Sequence, residues 1–204
     1  MLSFDLGKSS ARPPVLECGP LRLSSAELSD HHAWRALRAE SRAHLTRWEP
    51  DWTELDETFD AFRVRLRSYE RQHRTRAGLS LFARLTGAAK LVGGVTLSDI
   101  RFHASHSATI GYWIGAPYLR RGYGLAMVER VVCYAFEELR LNRVEAACQP
   151  GNSASRALLA KAGFREEGLA RDYLFINGAW RDHLLFARTA RDHLSAAARQ
   201  DRAD

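Results

Sequence analysis

The chain has 204 residues, 46% hydrophobic and 26% charged, with a formal net charge of +6; this fits one domain with a full-sized core, and no apolar run approaches the ~18 residues of a membrane span. The opening MLSFDLGKSSARPP lacks the basic and apolar regions of a secretory signal, and three scattered cysteines (Cys18, Cys133, Cys148) give neither a disulfide framework nor a metal knuckle, so a reduced, cytoplasmic setting is expected. The positive charge permits an anionic partner without choosing among cofactor phosphates, RNA and lipid.

Residues 1–14 are polar and aperiodic and end in Pro13-Pro14, which predicts a flexible tail. A short strand is expected over 15–23, then a helix opened by Ser24 or Ser25. Residues 44–52 form an aromatic connector carrying Trp48, Glu49 and Trp52. A second helix is expected from an N-cap at Thr53, with Asp56 placed for a capping box and Phe59, Phe62, Leu66 and Tyr69 at helical spacing. Acidic residues crowd its start, and Arg67, Arg71, Arg74 and Arg76 its end. That order matches the helix dipole rather than a nucleic-acid footprint, so no direct nucleic-acid role is expected.

Residues 79–85 and 90–98 flank a Thr86-Gly87-Ala88 turn and read as a hairpin, with 108–114 as the next strand. A long amphipathic helix follows over 123–139, then a strand over 143–149 and a short helix over 153–162 closed by Gly163. Two final strands meet at Asn177-Gly178, a strong hairpin-turn signal. Residues 190–204 are expected to be an Ala- and Arg-rich tail, as an irregular segment or a frayed helix. Antiparallel hairpins, then a β-α-β-α unit, then a hairpin, make the fold class α+β, in a single domain over 15–189.

Leu119-Arg120-Arg121-Gly122-Tyr123-Gly124-Leu125 lies between a strand and the long helix. Glycines there let backbone N–H groups face an anion at a helix N-terminus, and Arg120 and Arg121 add formal charge. A Walker A loop would need a Gly-Lys-Ser/Thr ending, and a Rossmann fingerprint a small residue where Met127 stands. The third candidate is the cradle Q/R-x-x-G-x-G/A of GNAT acyltransferases. Gly122 and Gly124 match it, but Leu119 occupies its Gln/Arg position. Alone, the loop is as well explained by a structural turn.

A second motif decides. Asn152-Ser-Ala-Ser155-Arg-Ala-Leu-Leu159-Ala-Lys161-Ala-Gly163-Phe164 resembles the GNAT signature N-x-x-S-x-x-L-x-x-K-x-G-F, at the expected distance and after the expected strand. Within that superfamily, the stretches at 111–115, 141–146 and 167–183 are similar to the ribosomal-protein-alanine N-acetyltransferases, most of all the RimJ type. The resemblance covers about residues 15–189.

The resemblance implies a mixed, mostly antiparallel sheet with helices on both faces, splayed between its fourth and fifth strands, where acetyl-CoA would lie as acyl donor with no metal. Ile114 would bind the pantetheine arm through its backbone and offer its amide to the oxyanion. The amides of Arg120, Arg121, Gly122, Tyr123 and Gly124 would bind the pyrophosphate. Asn152 would hydrogen-bond the pantetheine, and it also reads as a plain N-cap. Ser155 would sit near the thiol. Many GNATs place an acidic Tyr where Leu159 stands, which leaves Ser155 as the general acid expected here, beside a simply structural role. Glu145 is expected to govern a water acting as base, or else to be a fixed strand carboxylate. Trp48, Glu49 and Tyr173 would line the acceptor entrance, or pack.

An α-amino group titrates near 7.7–8.0 and is partly neutral at pH 7, whereas a lysine near 10.4 must give up about 3.4 units, roughly 4.6 kcal/mol. A site without a strong base therefore suits a protein N-terminus, with a ribosomal protein among the acceptors. Acetylation of a small-molecule amine, or a non-catalytic module binding acyl-CoA or RNA, stays open, as does the choice of monomer or homodimer. No membrane partner is expected.

Overall fold

The computed structural model describes residues 12–200. Two three- and four-residue strands, β1 (Leu16–Cys18) and β2 (Leu21–Ser24), pair antiparallel across a turn at Gly19 and Pro20. The expected single strand over 15–23 is therefore two, because Gly19 takes a left-handed φ of +56° and Pro20 cannot donate to a ladder. Helix α1 (His31–Leu45) begins five residues later than Ser25 would place it, behind a 3-10 turn, Leu28–Asp30, closed by a Glu27/Asp30 capping box. The Thr53/Asp56 box likewise exists but caps another 3-10 turn, Glu54–Glu57. Thr58 caps α2 (Phe59–Arg74), its hydroxyl accepting from the Ala61 N–H. In both cases the capping side chains start a turn too short to continue as an α-helix.

From there the expected order holds, with ends shifted by a few residues: β3 (Leu79–Leu85), β4 (Leu91–Arg101), β5 (Ser107–Ile114), α3 (Tyr123–Glu137), β6 (Arg143–Cys148), α4 (Ser153–Lys161), β7 (Arg165–Ile176) and β8 (Ala179–Thr189). Asn177 (φ +50°) and Gly178 (φ +78°) turn the last hairpin, both left-handed as a primed two-residue turn requires. Residues 190–200, expected to lie beyond the domain, form helix α5 (Ala190–Gln200), which returns along α3 with His193 against Phe136 and Glu137. The remainder of both expected tails, 1–11 and 201–204, lies outside the described residues. No helix among the described residues is long and apolar enough to cross a membrane.

The eight strands form one sheet in the order β1-β2-β3-β4-β5-β6-β8-β7. All neighbours are antiparallel except β5 and β6. Alternation along the strands separates two faces. On one, Leu81, Val92, Val95, Ile110, Val144, Ala146 and Phe186 bury against Met127, Val128, Val131 and Val132 of α3 and Leu159 of α4. On the other, Trp34 and Leu37 of α1 and Phe62 of α2 cover Phe82 and Leu91. The fold is thus a single α+β domain with a mixed sheet and helices on both faces. The splay lies between β5 and β6, the fifth and sixth strands, because the first expected strand divides.

Candidate active site

The cleft originates in strand pairing. β5 and β6 run parallel and pair through three residues each, Ser107↔Arg143, Ala108↔Val144 and Thr109↔Glu145. Beyond them β5 stays with β4 as far as Ile114, while β6 stays with β8 as far as Cys148. The Gly115 N–H donates to Val92 O at 2.9 Å, which fixes that amide toward β4. Successive residues of a strand alternate, so the N–H and C=O of Ile114 turn to the opposite edge, the one β6 has left. An extended ligand can pair with main chain there. Helix α1 fixes this end of β5: buried Ser41 Oγ accepts from the Ala116 N–H at 2.8 Å, and a Cβ on Gly115 would stand 2.4 Å from Leu37 Cδ1.

The loop before α3 is left-handed at Arg120 (φ +59°) and again at Gly122 (φ +78°). Such turns gather successive N–H groups into an anion-binding concavity. The α3 ladder opens with the Ala126 N–H donating to Gly122 O at 3.1 Å. The N–H groups of residues 120–125 have no backbone acceptor among the described residues. No carboxylate pairs with Arg120 or Arg121 among them either. A Cβ on Gly124 would lie 2.9 Å from Leu158 Cδ1 and 3.5 Å from Ile114 Cγ1, so this glycine lets the loop, the end of β5 and α4 meet. The donor set fits a diphosphate at the loop and an amide-bearing arm along β5.

Asn152 caps α4, its Oδ1 accepting from the Ser155 N–H at 3.1 Å. Ser155 Oγ lies 2.8 Å from the hydroxyl of Tyr112, and the Ser155 hydroxyl favours the thiolate form of Cys148. Burial pushes Tyr112 up to about 12, the Ser155 bond opposing it in part. Burial likewise raises Cys148, again opposed by Ser155. In the sequence Tyr112 stands out only as part of the 111–115 stretch, with nothing to tie it to Ser155. Leu159 is fully buried in the core, which makes it a packing residue.

The residues expected at the acceptor entrance lie around α1, the 44–52 connector and β7. Arg38 of α1 lies 3.8 Å from the centroid of the Trp52 ring and 5.7 Å from those of Trp34 and Trp113. It donates to Glu49 Oε1 at 2.9 Å, so Glu49 is bound in place. Trp52 Nε1 donates to Glu57 at 2.7 Å. Trp48 reaches Gly151, standing 3.9 Å from where a Cβ would be. Tyr173 sits on an irregular stretch of β7 between Ala170 and Leu174, with its ring 5.5 Å from that of buried His183. Asn177 joins the two segments: its amide donates to Thr46 O, and its Oδ1 accepts from the Asp51 N–H at 2.8 Å. In the sequence Asn177 reads only as a turn residue; this second role depends on contacts 126 and 131 residues away.

Glu145 is not brought to Ser155. It stands at the closed end of the splay on the opposite face, accepting from Arg143 Nε at 2.8 Å, with Arg101 at 3.8 Å. Arg143 also binds Glu167, and those carboxylates hold its guanidinium above its ordinary range, the Glu167 bond most of all. The three cysteines are free. Among the described residues, Cys133, Glu137 and His193 bring donor atoms within 4.8 Å of one another at the far end of α3. The Arg188 guanidinium lies 3.4 Å from His193 Nδ1 and opposes a second cation there.

A family model described as "Acetyltransferase (GNAT) domain" matches residues 21–165. The [ribosomal protein uS5]-alanine N-acetyltransferase of Escherichia coli is 30% identical over 173 residues, covering 84% of this chain and 89% of that protein. The probable N-acetyltransferase YjcK of Bacillus subtilis is 43% identical over 98 residues, a match spanning 48% of this chain and 54% of YjcK. Among solved structures, Mycobacterium smegmatis RimJ in complex with CoA-disulfide superposes with a TM-score of 0.80 at 30% identity, covering 90% of this chain and 93% of the other. The ribosomal-protein-S5-alanine acetyltransferase of Vibrio fischeri superposes with 0.81 at 28% identity, covering 87% and 97%.

Proposed function

The chain belongs to the GNAT acetyltransferase family, and from that premise we propose that it transfers acetyl from acetyl-CoA to the N-terminal α-amino group of a protein, with a ribosomal protein as the leading acceptor. The observation that carries the donor half is the early parting of β5 from β6, with the Ile114 amide turned into the opening beside the unpaired amides of 120–125. The acceptor half rests on the 30% identity over most of the chain to a ribosomal-protein-alanine N-acetyltransferase.

The loop amides, helped by Arg120 and Arg121, hold the pyrophosphate. The main chain of β5 and the Asn152 side chain hold the pantetheine arm, and Ile114 N–H stabilises the oxyanion as the amine attacks. Transfer is direct within a ternary complex: the N–C bond forms, the C–S bond breaks, and the electron pair leaves on sulfur close to Ser155. The carboxylate of Glu145 is engaged by two arginines on the opposite face, which favours its reading as a fixed strand carboxylate. The amine then enters already partly neutral, as an α-amino group near pH 7–8 does.

The test is mass spectrometry of acetyl-CoA reactions with a panel of peptides, including ribosomal-protein N-termini, and a panel of lysine-like and small amines. Mass gain at peptide α-amines supports the proposal. Gain confined to small amines replaces the acceptor, and CoA binding without CoA release in either panel leaves a binding module.

A further inference from the structure

A serine hydroxyl has one hydrogen and two lone pairs, so the neighbours of Ser155 decide where its hydrogen points. Tyr112 Oη is 2.8 Å from Ser155 Oγ, and the Ser155 hydroxyl favours the thiolate form of Cys148. Tyr112 comes from the part of β5 beyond the last β5–β6 pair, Cys148 from the corresponding part of β6, and Ser155 from the first turn of α4. The three side chains therefore bridge the strands where they diverge. The Ser155 main chain is itself fixed by Asn152. Burial keeps Tyr112 protonated at neutral pH, up to about 12, and raises Cys148 as well. Tyr112 then remains able to donate, and a donor on one lone pair of Ser155 leaves the serine hydrogen for another partner.

We propose that Tyr112 is a positioning residue for acyl transfer: its hydroxyl donates to Ser155 Oγ and turns the Ser155 hydrogen toward the cleft, where the departing thiolate accepts it. The proposal rests on the acetyl-transfer reading above. Tyr112 does not surrender its own proton, because with the phenol at about 12 and a free thiol near 8.5, full transfer is unfavourable by roughly 3000-fold. The sulfur leaves as a hydrogen-bonded thiolate, and the proton that neutralises it is the one the amine loses on acylation. Tyr112 acts through Ser155 and need not touch the substrate.

Tyr112→Phe keeps the buried ring and removes only the hydroxyl. With acetyl-CoA and an acceptor peptide, the single-turnover rate should fall about fivefold, the scale of one neutral hydrogen bond, with KM for acetyl-CoA unchanged and the fold intact by circular dichroism. In a Ser155→Ala background the same change should alter kcat less than about twofold, because the group it orients is gone. A loss that is additive with Ser155→Ala, a loss that appears in KM instead of kcat, or a wild-type single-turnover rate in Tyr112→Phe each overturns the proposal. An unmutated enzyme that releases no CoA with any peptide or amine removes the acetyl-transfer reading and the proposal with it. That failure is recognisable because it precedes any comparison of variants.

Discussion

The proposed donor and acceptor sides of the cleft are built from different materials. The donor side is mostly main chain: the vacated edge of β5, the amides of 120–125 and the first turn of α4, with glycines where the elements approach. The acceptor side is a lattice of side chains. Arg38 stacks on Trp52 and binds Glu49, Trp52 binds Glu57, and Asn177 ties the hairpin tip to the connector. A main-chain site tolerates most side-chain changes but not a change of backbone conformation. A side-chain site can be respecified one residue at a time while the donor half is left alone.

Gly122→Val is the sharpest way to break the donor side. Within the protein its Cβ would meet open space, so the obstacle is the φ of +78°, which a β-branched residue resists. The loop must re-form in another conformation, and CoA affinity should fall about 100-fold or more, the loss of a few charge-assisted hydrogen bonds, in a domain that still folds. Calorimetry decides, and micromolar binding by the variant would remove the loop from the site.

Asn177→Gly probes the acceptor side. Glycine accepts the left-handed φ but cannot bond Thr46 or Asp51, so about two hydrogen bonds are lost. Peptide KM should rise about tenfold while the acetyl-CoA dissociation constant stays within twofold of the wild-type value. If both constants move together, the two sides are one structure and the comparison fails.

Arg120 and Arg121 are the donor side's exposed charges. Replacing both with Ala should weaken CoA about fivefold at low salt and hardly at all above about 0.3 M, because exposed charges are screened over roughly 10 Å already at 0.1 M. An effect independent of salt would mean that the arginines hold the loop's shape.

The smallest effect is expected at the closed end of the splay. Glu145→Gln should change kcat less than about twofold if its carboxylate serves only Arg143 and Arg101; a 100-fold loss would return it to the chemistry. Nearby, Arg143 holds the Glu167 carboxyl below its ordinary range. A depressed carboxyl contributes stability above its unfolded pKa, and that contribution disappears as pH falls through the lower folded value. The pair is exposed, so Glu167→Gln should remove no more than a few tenths of a kcal/mol of the acid dependence seen in urea melts between about pH 5 and 3.

The same contrast governs how much was legible in the sequence. Gly122, Gly124, Asn152 and Ser155 leave a spaced pattern because main-chain geometry restricts which residues can stand there. The strands, the long helix and the Asn177-Gly178 turn were equally readable from periodicity and turn chemistry. Gly19-Pro20 is itself a turn signal, but residues 15–23 alternate as one strand would, and the Thr53/Asp56 capping box pointed to an α-helix although it caps a 3-10 turn. Residues meeting across more than 100 positions left no local trace: Asn177 with Thr46 and Asp51. Tyr112 with Ser155 was equally silent, because a tyrosine in a strand reads as packing until its partner is in place.

The orientation of Gly115 toward Val92 gives β5 a built-in reporter. Amides that point at β4 should exchange their hydrogens with solvent slowly, and those at Tyr112 and Ile114, facing the vacated edge, quickly. Adjacent residues of one strand would then differ in deuterium uptake with a period of two. A donor bound along that edge should slow the fast set and leave the slow set unchanged, so residue-resolved exchange would show occupancy of the edge without any measurement of catalysis.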